Sequence, residues 1–227
     1  MKTPDDYSIS TAYSYADSKE LADYYDDSAN GYDEYTESVG YILPRLVAQK
    51  AAQLVRGDEL IIDVGCGTGI LGVELNSIMN GLHIHGLDMS SKMIVQAYMK
   101  KKHDGNRHYK IFHYLDLASG DTIPEHQYSF MVSSGTFTTG HLSGLHLSRI
   151  VNSMKDDAIA VFSVKSDHFD KSGFMDELIN LEKSSLIKVL EIIEVDSYEN
   201  AEYSAMSKIV SLRKLSPTGY LCIFGNS

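Results

Sequence analysis

The string Leu60-Ile61-Ile62-Asp63-Val64-Gly65-Cys66-Gly67-Thr68-Gly69-Ile70-Leu71-Gly72 constrains this chain more than any other. Five residues of strand character run into a turn of alternating glycines, and the turn opens a helix whose first N–H groups have no partner within the helix. Glycine has no Cβ, so the backbone at Gly65, Gly67 and Gly69 can pass close beside a polar ligand where another residue would collide. A strand, a glycine turn and a helix in this order are the opening of a crossover unit, and the rest of the chain should continue it.

It does. Apolar runs of strand length at Leu60–Val64, Leu82–Leu87, Tyr109–Tyr114, Ser129–Ser133 and Ala158–Val164 alternate with segments of helical spacing at Gly69–Met79, Ser91–Lys102, Leu142–Met154 and Lys171–Ser184. This pattern predicts a parallel sheet covered by helices. Leu186–Val195 is β-branched and carries Glu191 and Glu194, which predicts a strand near the sheet edge. Tyr220–Phe224 reads as a last short strand after a turn at Ser216–Gly219. Ala201–Leu215 is open between helix and strand. Ahead of the first strand, Tyr35–Val55 reads as a helix that Pro44 should kink or start afresh. Seven of the fifteen tyrosines lie at Tyr7, Tyr13, Tyr15, Tyr24, Tyr25, Tyr32 and Tyr35. Rings with polar tips suit a surface that is covered part of the time, which fits a lid and equally a packed outer helix. The expected organisation is a helical lid over 1–55 and a core over 56–227.

Two ligand classes use the glycine device, nicotinamide or flavin dinucleotides and S-adenosylmethionine. Gly67-Thr68-Gly69-Ile70-Leu71-Gly72 fits the dinucleotide spacing, but Gly65 and Cys66 intervene between it and the strand. The strand also ends in Asp63, a partly buried charge that needs a partner. The ammonium of an aminoacyl sulfonium is such a partner, and a pyrophosphate has the wrong sign. A Tyr-x-x-x-Lys pair at Tyr98 and Lys102 sits on the helix after the second strand, away from the strand ends where a nicotinamide would lie.

Charge narrows the partners. The net charge is −11 with only 20 basic residues, which disfavours nucleic acid. The basic cluster Lys100–Lys102 with Arg107 falls where a helix should end, and cations there complement its dipole. Cys66 and Cys222 allow at most one disulfide, no stretch has the length of a membrane span, and no signal-peptide core is apparent; a cytoplasmic setting is the expectation.

Asp63-Val64-Gly65-Cys66-Gly67-Thr68-Gly69 resembles the first motif of class I S-adenosylmethionine-dependent methyltransferases, and the resemblance spans roughly 24–165. Tyr25-Asp26 and Tyr32-Asp33 resemble the paired Tyr-Asp steps ahead of the core in many small-molecule members. Gly86-Leu87-Asp88-Met89-Ser90 with Met93 resembles the second-strand acidic motif, and Leu115-Asp116-Leu117 the loop that brackets adenine. Ser134-Gly135-Thr136-Phe137-Thr138-Thr139-Gly140-His141 is similar to the fourth-strand segment of the methyltransferases named for the Williams–Beuren syndrome region. Met154-Lys155-Asp156-Asp157 departs from the Lys-Pro-Gly-Gly turn usual in the family. The resemblance implies a Rossmann-like, doubly wound, seven-stranded, mostly parallel α/β sheet that binds S-adenosylmethionine and releases S-adenosylhomocysteine. It implies cofactor contacts at Tyr25, Tyr32, Asp63, Gly65, Cys66, Gly67, Gly69, Asp88, Met89, Met93, Asp116, Leu117 and Ser133, and acceptor contacts at Tyr25, Phe137, His141 and His168.

The residues assign roles on their own terms. Asp88 ends the second strand and can accept from both ribose hydroxyls, or else cap the next helix in competition with Ser90. Asp116 can accept from the adenine amino group while Met89 and Leu117 clamp the ring, or else be a turn acid. Cys66 is a small turn residue. His141, at the carboxyl edge of the fourth strand, is the candidate base, with a satisfied structural histidine as the other reading; His168 is second choice. His83 and His85 lack the companions of a metal site, so no metal is expected. The expectation is methyl transfer to nitrogen or oxygen of a small molecule by a monomer or homodimer, with an amine favoured because Asp26, Asp27 and Asp33 accompany the lid tyrosines. The competing readings are a nicotinamide-dependent oxidoreductase and a non-catalytic S-adenosylmethionine-binding partner subunit.

Overall fold

The computed structural model describes residues 9–12, 14–15, 17–200 and 202–216. Helices α1 (Ile9–Ala12), α2 (Ser18–Ser28), α3 (Tyr32–Ser38) and α4 (Leu43–Ala52) come first. The alternation then runs β1 (Leu60–Val64), α5 (Ile70–Ile78), β2 (His83–Asp88), α6 (Ser91–Met99), β3 (Ile111–Tyr114), β4 (Phe130–Phe137), α7 (Gly144–Ser153) and β5 (Ile159–Lys165). It ends with α8 (Ser166–Lys171), α9 (Phe174–Lys183), β6 (Ile187–Asp196) and β7 (Met206–Lys214). No helix among the described residues is long and apolar enough to cross a membrane.

The strands form one seven-stranded sheet in the order β3-β2-β1-β4-β5-β7-β6. The first five are parallel, and β7 and β6 close the sheet as an antiparallel pair beside β5. Side chains alternate between faces, so successive residues of one strand feed two cores. Ile61, Phe130 and Val132 pack with Val47, Ala48 and Ala51 of α4 and with Leu71 and Leu75 of α5. Ile62, Met131 and Phe162 pack on the other face with Leu147, Ile150 and Val151 of α7 and with Phe174 and Leu178 of α9. The doubly wound architecture read from the sequence is therefore present.

Several boundaries move. The segment 35–55 is two helices, α3 and α4, because the chain turns at 39–42 and Pro44 starts α4 at its first turn, where the missing N–H costs nothing. Because α4 lies in a core layer, only the helices before it stand outside the sheet's packing. Likewise the helix expected over 171–184 is α9, which starts after Gly173, and a separate short helix, α8, precedes it. β4 runs four residues beyond Ser133, through an irregularity that carries it to Phe137. The open segment 201–215 contains β7, a strand sandwiched between β5 and β6, and β6 is the edge, as its acids foretold. Those acids are matched: Glu191 pairs with Lys50, and Glu194 lies 2.9 Å from Lys208. The strand expected at Tyr220–Phe224, Cys222 within it, lies outside the described residues.

The departure at 154–157 has a physical solution. Asp157 adopts the left-handed conformation, φ 62°, that a glycine would take without strain. The last carbonyls of α7 are met from across the fold by Lys214, whose Nζ donates to Asn152 and Met154 at 3.0 and 2.6 Å, with Asp156 3.6 Å away. Lys214 is 5% exposed, so removing its ammonium leaves buried acceptors unpaired. Lys214→Met should lower unfolding free energy by about 2–4 kcal/mol in urea denaturation; an unchanged midpoint would show that α7 does not depend on this cap.

Candidate cofactor site

The first cavity, about 310 Å³, opens at the carboxyl ends of β1, β2 and β4. β1 is flanked by β2 on one side and β4 on the other, so the chain's crossovers diverge there and leave a crevice, the usual ligand position in an open α/β sheet. Gly65 and Gly67 form one wall, Asp88, Met89 and Met93 a second, Asp116 and Leu117 a third, and Tyr25, Tyr32 and His141 face them. Ten of the residues singled out in the sequence are thereby brought together from five separate segments.

The glycine turn holds the left-handed region at Gly65, Gly67 and Gly69, with φ of 70°, 52° and 85°. Asp88 holds the turn in place. One carboxylate oxygen accepts from the Gly67 N–H at 2.8 Å and the other from the Ser90 N–H at 2.8 Å. Ser90 is the N-cap of α6, accepting from Met93 N–H at 3.1 Å, so the capping role belongs to Ser90 and Asp88 is left as the bridge. Burial raises the Asp88 pKa to about 6 against the pull of those amides. Each oxygen keeps a further lone pair, and the residue lines the cavity.

Asp63 is fully buried and its pKa is raised to about 7, first by burial and then by Asp88, with the Tyr109 hydroxyl pulling the other way. Its partner within the protein was not foreseen: Tyr109 donates to Oδ2 at 2.6 Å while accepting the Gly72 N–H at 2.9 Å. Gly72 is glycine for this reason. A Cβ there would come within 2.4 Å of the Tyr109 ring, so the residue that mimicked a dinucleotide glycine makes room for a tyrosine. Oδ1 of Asp63 has no hydrogen-bond partner among the described residues, and Asp63 lines a small side cavity with Gly65, Gly67 and Thr68. A buried carboxylate oxygen without a partner, next to a glycine turn, fits a ligand ammonium.

Asp116 binds its own turn, accepting from the Ala118 and Ser119 amides at 2.9 and 3.1 Å, yet it also lines the cavity with Leu117. Its pKa is lowered because hydrogen bonds, led by that from Ser18, outweigh burial. His141 Nδ1 lies 3.1 Å from the Thr139 carbonyl, which can only accept, so Nδ1 carries the proton. Nε2 is then the acceptor for the Tyr25 hydroxyl at 2.7 Å. Burial, with a lesser push from His168, lowers the His141 pKa against the opposing pull of the Thr139 carbonyl, which favours the neutral ring.

Besides Asp63, five expected contacts do not line this cavity. Ser133 is buried and donates to the Val64 carbonyl at 2.7 Å. Phe137 is 1% exposed, its ring 5.0 Å from Phe162, and is a core residue that only borders a neighbouring cavity. His168 is buried with Nε2 3.2 Å from the Leu142 carbonyl, so it is structural. Gly69 shapes the turn, and Cys66, whose thiol burial pushes far up, fills it. The two Tyr-Asp steps divide their labour. Tyr25 and Tyr32 face the cavity, whereas Asp26 accepts from Ser90 Oγ at 2.6 Å and Lys92 N–H at 3.0 Å, and Asp33 pairs with Thr68 and Lys100. Asp27 is exposed. Asp26 and Asp33 anchor helices, and none of the three acids lines either large cavity, which removes the ground for favouring an amine acceptor. Arg107 lies over the Tyr98 ring at 3.3 Å and donates to the Tyr98 carbonyl, so of the basic cluster Arg107 closes α6, while Lys100 pairs with Asp33.

Residues 61–156 match a family described as a methyltransferase domain. Over 92 residues the chain is 34% identical to methyltransferase-like protein 27 of Homo sapiens, a match covering 39% of this chain and 37% of that protein, so it spans little more than a third of that relative's length. The fold is similar to magnesium protoporphyrin IX methyltransferase of Synechocystis PCC 6803 with bound S-adenosylmethionine, at TM-score 0.61 and 16% identity, covering 88% of this chain and 99% of the other. It is also similar to a TehB-like S-adenosylmethionine-dependent methyltransferase of Corynebacterium glutamicum, at TM-score 0.58 and 19% identity, covering 86% and 99%. Residues 61–156 are thus similar to a methyltransferase domain, and the chain has the fold of S-adenosylmethionine-dependent methyltransferases.

The raised pKa of Asp63 has a signed consequence. Between the unfolded value of 3.8 and the folded value of about 7 the native state holds the extra proton, so this residue's contribution to stability falls as pH rises through that window. Asp63→Asn should gain stability relative to the native sequence by about 2–4 kcal/mol between pH 4.5 and 8, by the linkage of about 1.4 kcal/mol per pKa unit. Parallel pH curves for the two proteins would show that Asp63 ionises normally.

Proposed function

We propose that this chain is an active methyltransferase that carries the methyl group of S-adenosylmethionine to oxygen or nitrogen of a small molecule, with the segment before α4 as a cover. The observation that carries the reading is the meeting, in one cavity, of the Asp88 carboxylate with the Tyr25–His141 pair. The first suits a ribose, and the second presents a proton acceptor on the far side of the same space. Asp63 Oδ1 would hold the aminoacyl ammonium, Asp88 the ribose hydroxyls, and Met89, Met93 and Leu117 the adenine faces, with Asp116 at its edge.

When bound, S-adenosylmethionine supplies an electrophilic methyl group and departs as a neutral thioether, so no acid is required. What remains for the protein is positioning, exclusion of water and removal of a proton from the acceptor. Tyr25 and Tyr32 close the cavity from the α2–α3 side, and Asp26 and Asp33 fasten those helices to the N-terminus of α6 and to the glycine turn. His141, with Nδ1–H held by Thr139, keeps Nε2 available to take the acceptor's proton, directly or through the Tyr25 hydroxyl. A small acceptor agrees with the acidic net charge of −11, which opposes nucleic-acid substrates. The non-catalytic reading differs in one respect only: it predicts cofactor binding without turnover.

Incubation of the protein and methyl-labelled S-adenosylmethionine with a metabolite extract should label a discrete small-molecule mass. Cofactor binding without any labelled product would favour the partner-subunit reading. Asp88→Ala should weaken S-adenosylhomocysteine binding by roughly ten- to a hundredfold in calorimetry, the loss of hydrogen bonds to a charged group; unchanged affinity would remove Asp88 from the site. Because the His141 pKa lies below its ordinary value, turnover should rise with pH below about 6.5 and then level off. His141→Asn should lower turnover far more than cofactor affinity, and full activity in that variant would exclude it as the base.

A further inference from the structure

Beside the cofactor cavity, at the carboxyl ends of β4 and β5, lies a second one of about 360 Å³ whose wall holds hydroxyl protons that no acceptor takes. Thr138 Oγ1 has no hydrogen-bond partner among the described residues. Ser163 accepts the Gly135 N–H at 2.9 Å but donates to nothing among them. Ser197 and Ser207 share one hydrogen bond of 2.9 Å, which uses only one of their two protons. These four side chains line the cavity and are 1–4% exposed, so bulk water barely reaches them.

We propose that these buried hydroxyls bind the methyl acceptor through a carbonyl oxygen, and that the acceptor is an uncharged aromatic carbonyl compound. The proposal rests on the methyltransferase reading above and adds the acceptor's place and chemical class. A buried O–H calls for an acceptor. A carbonyl oxygen has two lone pairs and can take two such donors, whereas an ammonium or a hydrocarbon offers them nothing.

The rest of the wall selects the ring and its charge. Tyr41 and Tyr198 are joined by a β-bridge with rings 5.6 Å apart, and Tyr203 stands 5.9 Å from Tyr198. Tyrosine rings hold a planar ring by offset or edge contacts. The charged residues of the wall are Lys165, which already engages a neighbour, and Glu202, which is exposed. Neither supplies a buried, unmatched counter-charge, so an ionised ligand would lose its water without recompense.

The two cavities share Tyr25, Tyr32 and Gly135. Tyr25 thus belongs to both walls, and its hydroxyl lies 2.7 Å from His141 Nε2. A hydroxyl at the inner end of the ring would give its proton to His141 Nε2, directly or through Tyr25, as its oxygen bonds to the methyl carbon and the carbon–sulfur electron pair stays with sulfur.

Four phenols of similar size test this, each titrated calorimetrically into the full chain saturated with S-adenosylhomocysteine. 4-Hydroxyacetophenone should bind about tenfold more tightly than its hydrocarbon isostere 4-isopropylphenol, and more tightly than the charged 4-hydroxybenzoate and 4-hydroxybenzylamine. Thr138→Val should erase most of the advantage of the ketone and Thr138→Ser should keep it, while both variants bind S-adenosylhomocysteine as the native chain does. Equal affinity for the ketone and its isostere, tightest binding by either charged phenol, an unaltered preference in Thr138→Val, or no saturation by any phenol in a protein that binds S-adenosylhomocysteine would each overturn the proposal. Failure of the native chain to bind S-adenosylhomocysteine would instead overturn the methyltransferase reading beneath it.

Discussion

The carboxylate of Asp88 is the joint on which the cofactor end of the molecule depends. It spans the gap between the glycine turn after β1 and the start of α6, taking one backbone N–H from each. Neither amide has a partner within its own element, so without Asp88 both donors would lose their protein acceptor, although the Gly65 and Cys66 amides still hold the turn to the Leu87 carbonyl of β2. The joint extends outward. Ser90, whose amide Asp88 accepts, donates its hydroxyl to Asp26 of α2, and Thr68 of the turn donates its hydroxyl to Asp33 of α3. Turn, helix start and overlying helices thus form one hydrogen-bonded unit around the cavity, and each lining tyrosine is followed in sequence by the acid that anchors it.

A second buried acid lies close by at the end of the neighbouring strand. Burial raises the pKa of both, Asp88 adding to the rise at Asp63 and Asp26 to that at Asp88, and the fold answers the first with Tyr109 and the second with backbone amides. The burial of Asp63 carries an electrostatic cost that a cation beside it would relieve. Oδ2 of Asp63 is satisfied by Tyr109, whereas Oδ1 has no partner among the described residues.

What was legible in the sequence and what was not divide along one line. The crossover pattern, the glycine turn, the acid at the end of β2 and the edge position of β6 are written locally, in spacing and in residue type, and they could be read. The partner of Asp63 could not, because Tyr109 lies 46 residues away and reads as part of a strand. Gly72 misled for the same reason: its spacing imitates a nucleotide motif, and only the ring packed against it shows why it lacks a side chain. β7 was ambiguous because it is buried on both faces with serines interleaved, so it has neither a helical nor an alternating signature. Phe137 and His168 fell near the right edge of the sheet but point into packed surroundings. The acids of the Tyr-Asp steps were read as facing a ligand when they face the protein, a distinction that spacing alone does not carry.

Hydrogen exchange over residues 18–38, followed by mass spectrometry with and without S-adenosylhomocysteine, tests this coupling most directly. If Asp26 and Asp33 join α2 and α3 to the cofactor turn as one unit, the cofactor product should slow exchange in those helices, and Asp26→Asn should abolish most of that protection while leaving β1 and β4 protected. Identical exchange of 18–38 in the free and bound protein would contradict the account, leaving these helices as packing on the outside of a site that works without them.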